Sequence, residues 1–374
     1  MYNILHGDCL DLLATLNENS VDSIVTDPPY ELGFMGKSWD STGIAFSPDV
    51  WKAALKVLKP GGYILAFSSA RTYHRMAVAI EDAGFEIRDQ IMWVYGSGFP
   101  KSMNIPLAME KKGLDPTDFV GWGTALKPAH EPIVMARKPL EGTVVDNLLT
   151  WGVGGINIDD SRVPGEPVPI NKLEEWSGFG QKIEPDYKQE MNTSGRFPAN
   201  FIHDGSDEVV ELFPQAKGGA YPAVRGKSDI GAFAQGGTHK DKPNQARVMG
   251  DDGSAARFFY CAKANSKDRN EGLENHKNGQ RDLFSGNNNT NADNSINDED
   301  KRKNTHPTVK PTELMRYLIK MVTPAGGTVL DPFAGSGSTG KAAMLDDYKF
   351  VGIEMNEEYV AIAKARIEHA ILKK

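Results

Sequence analysis

Asp27-Pro28-Pro29-Tyr30 stands directly after a short strand pattern, Val21 to Thr26. At average residue usage such a tetrapeptide arises by chance about once in 10⁵ positions, so its place at the end of a strand carries weight. A proline turn leaving a sheet is the plain alternative. The chemistry on offer is activation of an aromatic amine. The amino nitrogen of adenine or cytosine is a poor nucleophile because its lone pair is delocalised into the ring. A carboxylate and a backbone carbonyl that accept its two N–H bonds would draw the nitrogen toward tetrahedral geometry and free the lone pair for in-line attack. Asp27 and the carbonyl of Pro28 suit that task, and Pro28 and Pro29 stiffen the loop so that the acceptors are held before substrate arrives. Tyr30 suits stacking on a base swung out of a duplex.

The second chemical segment is Asp331-Pro332-Phe333-Ala334-Gly335-Ser336-Gly337, between the strand pattern Thr328 to Leu330 and a helical one. A glycine turn feeding a helix N-terminus suits a nucleotide-type ligand. Gly335 to Lys341 also spells most of a phosphate-binding loop, but Ala342 occupies the place of the magnesium-binding Ser or Thr. Glu354 favours an adenosyl ligand, because it ends the next strand about twenty residues on, where an acidic side chain can take ribose hydroxyls. The alternative for Glu354 is an ordinary strand-end carboxylate.

The elements that must position these segments alternate between strand and helix. Asn3 to His6 reads as a strand, and Asp8 caps a helix through Leu16 with Leu10, Leu12, Leu13 and Leu16 at helical spacing. Ser47-Pro48 starts a second helix, with Trp51, Ala54, Leu55 and Leu58 on its apolar stripe, and Pro60-Gly61-Gly62 ends it. Tyr63 to Phe67 is a buried strand, a helix runs from about Thr72 to Gly84, and Phe85 to Ile87 with Gln90 to Tyr95 reads as a closing strand pair. The last seventy or so residues repeat the pattern, with a helix around Glu313 to Met321, the glycine turn, a helix to about Leu345, a strand Phe350 to Glu354 and a final helix capped by Asn356. A parallel sheet covered on both faces is implied. Between the blocks, Asp115 to Asn304 is rich in Gly, Pro and Asn with little periodicity. It reads as an irregular insert, with an Asn-rich mobile loop from Ser285 to Asn304.

The composition narrows the function classes. A chain of 374 residues, 40% hydrophobic and 25% charged, can bury a full core. It shows no apolar run near the ~20 residues needed to span a bilayer, and its first residues lack a secretory layout, so a cytoplasmic protein is expected. Cys9 and Cys261, the two cysteines, suggest neither a disulfide nor a metal site. The net charge of −8 argues against non-specific coating of nucleic acid. A local basic face from Lys111, Lys112, Lys127, Arg137, Lys138, Arg257, Lys263, Lys267 and Arg269 remains compatible with reading a short site.

With both motifs placed, the chain resembles the amino-group DNA methyltransferases, N6-adenine and N4-cytosine, in the motif order of their β class. The resemblance covers most of residues 1–160 and 300–370, and more weakly Gly195 to Asn200 and Arg257 to Arg269. It implies a Rossmann-like S-adenosylmethionine-dependent fold with a mostly parallel seven-stranded, circularly permuted sheet. The catalytic half would be residues 1–114, the target-recognition insert 115–304 and the cofactor half 305–374. Asp27, Pro28, Pro29 and Tyr30 would then be catalytic. Asp331, Phe333, Gly335, Gly337 and Glu354 would hold S-adenosylmethionine, the strand ending at Leu330 lying beside that ending at Thr26. His6-Gly7-Asp8-Cys9 is similar to an element that brings Asp8 and Cys9 to the cofactor's adenine, and His306 to Pro311 to one that brings Thr308 and Lys310 to its methionine end. The substrate implied is double-stranded DNA, methylated at N6 of adenine, with N4 of cytosine as the rival. A homodimer and a cognate restriction endonuclease stay open as further partners, and an inactive DNA-binding module stays open as a rival of another class. Lys127 to Pro132 resembles a segment bordering the target-base pocket, with a loop packed on the sheet as the equal alternative. Trp122, Trp151 and Trp176 could meet DNA or sit in the core.

Overall fold

The structure is a computed structural model that describes residues 1–33, 38–98, 100, 102–165, 168–170, 190–192, 194–216, 220–221, 248–249, 252–263, 265, 267–274 and 304–374. The elements that frame the site are β1 (Tyr2–His6), α1 (Cys9–Leu13), β2 (Val21–Thr26), α2 (Pro48–Val57), β3 (Leu58–Phe67), α3 (Tyr73–Asp82), β4 (Glu86–Val94), β5 (His130–Arg137), α4 (Val144–Trp151), β6 (Phe201–His203), β7 (Tyr260–Cys261), α5 (Thr312–Val322), β8 (Thr328–Asp331), α6 (Ser338–Leu345), β9 (Lys349–Glu354) and α7 (Glu357–Leu372). The nine strands form one sheet in the order β1-β9-β8-β2-β3-β5-β4-β6-β7. Every neighbouring pair is parallel except the two made by β5, so β5 alone in this sheet runs against the rest.

Buried strands need apolar residues on both faces, and β2 shows this, with all six residues buried. Its Val25 packs with Leu65 and Val329 under Leu314 and Leu318 of α5, Ala342 of α6 and Ile367 of α7. Its Ile24 faces the other way, with Ile64 and Leu330, under Leu13 of α1, Trp51 and Ala54 of α2 and Ile80 of α3. This period-two alternation places helices on both faces and makes the fold α/β and mostly parallel. As expected, β8 lies beside β2, with Val329 opposite Ser23 and Leu330 opposite Ile24.

Several elements differ from the sequence reading. α1 stops at Leu13 and does not reach Leu16. α2 ends at Val57 and β3 begins at once, absorbing Pro60-Gly61-Gly62 through a register shift opposite Val21 to Ser23. The closing strand pair is one continuous strand, β4, irregular between Ile87 and Asp89. Arg88 and Asp89, which lay between the two expected strands, are on the exposed part of β4. Its antiparallel partner is β5, whose Ile133, Val134 and Ala136 are fully buried. Pro132 masked that strand in the sequence. It is tolerated because β3 ends at Phe67, opposite Ile133, so Pro132 lies beyond the last residue of β3.

The sheet therefore draws β5, β6 and β7 from the region read as an irregular insert, and β6 and β7 extend the expected seven strands. Of the expected mobile loop, residues 285–303 lie outside the described residues, as does Trp176. Asn304, which ended that expected loop, is 1% exposed and donates to the Arg269 carbonyl, so it is a fixed residue. Among the described residues no helix is long and apolar enough to cross a membrane.

Candidate active site

The loops after β2 and β8 meet because their strands are neighbours, and one side chain joins them. Asp331, at the end of β8, accepts hydrogen bonds from Thr26 Oγ1 at 2.6 Å, Thr339 Oγ1 at 2.6 Å and the Phe333 amide at 3.1 Å. Thr26 ends β2, one residue before Asp27, so the carboxylate ties the two loops at their roots. Burial pushes the Asp331 carboxyl up to about 6 against the three donors that pull it down. Asp27 and residues 331, 333–336, 338 and 339 line one cleft, together with His306, Thr308, Lys310 and Met315.

The glycine turn takes its shape from backbone that glycine alone adopts readily. Gly335 has φ +50° and Gly337 +76°. A Cβ on Gly335 would lie 2.8 Å from His306 Nε2, at the cleft wall, whereas one on Gly337 would lie 2.8 Å from the Cβ of Ala363 in α7. Gly335 thus keeps the cleft open, while Gly337 permits helix packing behind the turn. Glu354, at the end of β9, accepts the Gly335 amide on one oxygen and the Asn356 amide on the other, each at 2.8 Å. A carboxylate offers about four acceptor positions, so both oxygens retain capacity for further donors. Phe333 packs one side of its ring near Trp51, centroids 6.3 Å apart, and is only partly buried. His306 lies in the cleft wall, its Nδ1 2.9 Å from the Thr308 carbonyl, and burial pushes its pKa down to about 4, so the ring is neutral at pH 7.

Lys310 lines the same cleft and is also drawn to the carboxylates of Asp27 and Glu131. Its ammonium, on a side chain 6% exposed, donates to Asp27 Oδ2 at 2.6 Å and to the Tyr30 hydroxyl at 3.2 Å, and lies 3.3 Å from Glu131 Oε2. Burial works against its charge, but Asp27 and Glu131 outweigh burial and hold its pKa above the ordinary lysine value. Glu131, on β5, also accepts from the hydroxyls of Tyr30 at 2.8 Å and Tyr95 at 3.4 Å. Burial first, and the carboxylates second, raise both phenols, which stay protonated donors. Tyr30 is therefore fixed by its hydroxyl, with Lys310 5.4 Å from its ring centroid. The other oxygen of Asp27, Oδ1, is buried without a hydrogen-bond partner.

Asp8 and Cys9 are not brought into the cleft. Asp8 caps α1, accepting from Leu10 N at 2.8 Å, and Cys9 is buried beneath it with its thiol pushed up to about 12, chiefly by burial. Their turn is held to β9 by the Gly7 amide, which donates to the Glu354 carbonyl. Cys9 and Cys261 are free thiols, and no group of three metal-binding side chains exists among the described residues.

Lys341 does not serve a phosphate-binding loop. It is 3% exposed and donates to Glu271 at 2.9 Å and Asp268 at 3.4 Å, behind the glycine turn. Arg366 of α7, fully buried, donates to the Ser336 carbonyl and to the Asp268 carbonyl, and Arg269 donates to the His306 and Pro307 carbonyls. The segment 267–274 thereby braces the cofactor-side loops, a role that the sequence did not signal. Arg269 leaves the expected basic face for this reason. So do Arg137, ion-paired with Glu86, and Lys138, whose ammonium donates to the Leu55 and Leu58 carbonyls. Lys111, Lys112, Lys127, Lys263 and Lys267 are exposed. Trp122 is 60% exposed between β4 and β5, and Trp151 donates to Glu141.

Comparison with known proteins gives a family. The model of a family described as DNA methylase, the N6 and N4 methyltransferases, matches residues 21–365. The Type II methyltransferase M.HindIII of Haemophilus influenzae is 33% identical over 107 residues, 27% of this chain and 35% of the relative. The DNA adenine methyltransferase YhdJ of Escherichia coli is 45% identical over 65 residues, 17% of this chain and 22% of the relative. The match therefore spans about a third or less of these relatives. Among solved structures, the cytosine-N4-specific PvuII DNA methyltransferase aligns with a TM-score of 0.45 at 14% identity, covering 98% of this chain and 86% of that one.

Proposed function

The chain belongs to the DNA methylase family, and from that premise we propose that it transfers a methyl group from S-adenosylmethionine to the N6 amino group of adenine in a short duplex DNA sequence. The observation that carries this reading is Asp27, which shares one cleft with the glycine turn and has one oxygen tethered by Lys310 and the other buried without a partner. A buried acceptor without a donor is costly. A substrate amine would supply the donor. The adenine assignment rests on the aspartate that opens the motif and on the similarity to a relative named as an adenine methyltransferase. The cytosine-N4 reading remains the rival.

The residues of the cleft, with Glu354 beside it on the Gly335 amide, fit the cofactor. Glu354 has acceptor capacity for two ribose hydroxyls beside the Gly335 amide, Phe333 offers a flat apolar surface for an adenine ring, and Thr308 and His306 close the wall nearest Gly335. Bound there, S-adenosylmethionine supplies an electrophilic methyl group on a positively charged sulfur. Asp27 Oδ1 and the Pro28 carbonyl accept the two N–H bonds of the target amine and present its lone pair to that methyl. Asp331 keeps the two loops in register through Thr26. Tyr30, its hydroxyl anchored, offers a fixed ring for the extruded base.

The test is transfer of label from methyl-labelled S-adenosylmethionine to a varied pool of duplex DNA by the purified chain. The expected result is incorporation into DNA that Asp27→Ala abolishes. Labelled protein or small molecules with no label in DNA would overturn the reading.

A further inference from the structure

The carboxylates of Asp27, in the loop after β2, and Glu131, on β5, converge on one buried ammonium. We propose that Lys310 is a positioning residue of the methyl-transfer step, which fixes the Asp27 carboxylate with Oδ1 toward the substrate and balances one of the two carboxylates, Asp27 and Glu131, that converge on it. The inference rests on the function proposed above and assigns Lys310 to the acceptor side of the cleft, away from the cofactor's methionine end.

Geometry supplies the first argument. Lys310 holds Asp27 Oδ2 at 2.6 Å, and a carboxylate gripped by one oxygen presents the other in a fixed direction. The lysine is itself fixed, 5% exposed, with its ammonium 5.0 Å from the Phe67 ring centroid and 5.4 Å from that of Tyr30. Glu131 is locked by the Tyr30 and Tyr95 hydroxyls. Each partner of Lys310 is thus immobilised on a different element, and the ammonium has little freedom to follow a ligand.

Charge supplies the second argument. The ionisable groups facing Asp27 are Lys310 and His306 from the loop before α5, Tyr30 from its own loop, Glu131 from β5, Tyr95 just beyond β4, and Asp331 at the end of β8, reached through Thr26. The phenols and the imidazole are neutral at pH 7. The formal charges of the trio Asp27, Glu131 and Lys310 sum to one negative charge, and Asp331, pushed up to about 6, is set apart from it by its own donors Thr26 and Thr339. In the reaction the amine lone pair forms the N–C bond, the C–S electron pair passes to sulfur as the sulfonium becomes a thioether, and the nitrogen acquires the positive charge. One amine proton then passes to Asp27 Oδ1, which neutralises the trio. Without Lys310 the two carboxylates would face each other unscreened in a buried site, and one would take up a proton at a pH where the native trio is ionised. A protonated Asp27 can neither accept the N–H bond nor receive the proton.

Lys310→Met is the test, read alongside wild type and the double variant Lys310→Met/Glu131→Gln. For Lys310→Met we expect kcat about 10²-fold lower, an essentially unchanged KM for S-adenosylmethionine, and an acid limb of the kcat profile moved up by about one pH unit or more. The double variant, which lacks the second carboxylate, should return the limb toward wild type even where kcat stays low. Lys310→Ala should regain rate on addition of a small alkylammonium, and not of a neutral alcohol of the same size. A readout independent of turnover is infrared titration of the cofactor-free proteins, where Lys310→Met should show a protonated carboxyl at neutral pH that wild type lacks. If wild type methylates DNA while Lys310→Met keeps its kcat and pH profile, or loses only cofactor affinity, the inference is wrong and the functional reading stands. If wild type methylates no DNA, the functional reading fails first. Should Lys310→Met not fold, an unchanged profile and infrared spectrum in Lys310→Ala with and without the alkylammonium would overturn the inference equally.

Discussion

Asp331 sets burial against hydrogen bonding, and Asp331→Asn measures which prevails. The residue is 2% exposed and accepts from Thr26, Thr339 and the Phe333 amide. Burial outweighs the three donors and lifts the carboxyl from 3.8 to about 6. A shift of roughly two units, at about 1.4 kcal/mol each, corresponds to roughly 3 kcal/mol. Because the folded value is raised above the unfolded one, the folded protein binds the proton more tightly in the window between them. The associated stability is fully present below about pH 4 and is lost as pH rises through about 6. Asparagine has no such titration. Urea unfolding of both proteins at steps from about pH 4 to 8 should therefore show wild-type stability, relative to the variant, falling by roughly 3 kcal/mol up to about pH 6.5 and staying level above it. A relative stability that is flat or rises with pH would refute the reasoning, since it would mean that the three donors hold the carboxyl at or below its ordinary range.

Asp27→Ala should keep cofactor and DNA affinity within a few-fold, by calorimetry and gel shift, while losing about 10²- to 10³-fold in methyl transfer, because its oxygen acts most strongly as charge develops on the amine. Gly335→Val and Gly337→Val should separate: the first puts its side chain against His306 and abolishes S-adenosylmethionine binding in equilibrium dialysis, while the second meets Ala363 of α7 and costs roughly 1–3 kcal/mol in urea unfolding. Lys341→Met should destabilise the fold by about 3 kcal/mol through loss of a buried ion pair with Glu271 and Asp268. It should leave cofactor affinity intact in the same dialysis, and a loss of binding in a fully folded variant would restore a ligand role for that lysine.

The parts of the site that the sequence disclosed are those built by neighbouring residues. Asp27 to Tyr30 follows β2, and Asp331 to Gly337 joins β8 to α6, so strand pattern, proline and glycine locate both turns. What the sequence did not disclose is the pairing of residues far apart along the chain: Lys310 and the segment Lys127 to Pro132 were singled out, but not as partners of Asp27 and Tyr30. Lys310 is 283 residues from Asp27, and Glu131 is 101 from Tyr30. Glu131 acquires its place only when β5 inserts antiparallel between β3 and β4. That strand was obscured by Pro132 and by the long, weakly periodic stretch around it, although the buried run Ile133 to Ala136 was a usable signal. Gly337 shows the complementary limit. Its positive φ was foreseeable from a glycine turn, but the approach of Ala363 depends on how α7 packs, which local pattern does not encode. Asp8 was read two ways, and the structure shows the helix cap.

The central claim is that Asp27 and the glycine turn make one site for methylating a DNA amine. Digesting DNA treated with the enzyme and S-adenosylmethionine to nucleosides, and separating them by mass spectrometry beside an Asp27→Ala control, tests it most directly. The account predicts N6-methyladenine from the wild type and none from the variant. N4-methylcytosine would correct the base alone, whereas no methylated nucleoside from folded, cofactor-bound wild type on varied duplex DNA would contradict the account.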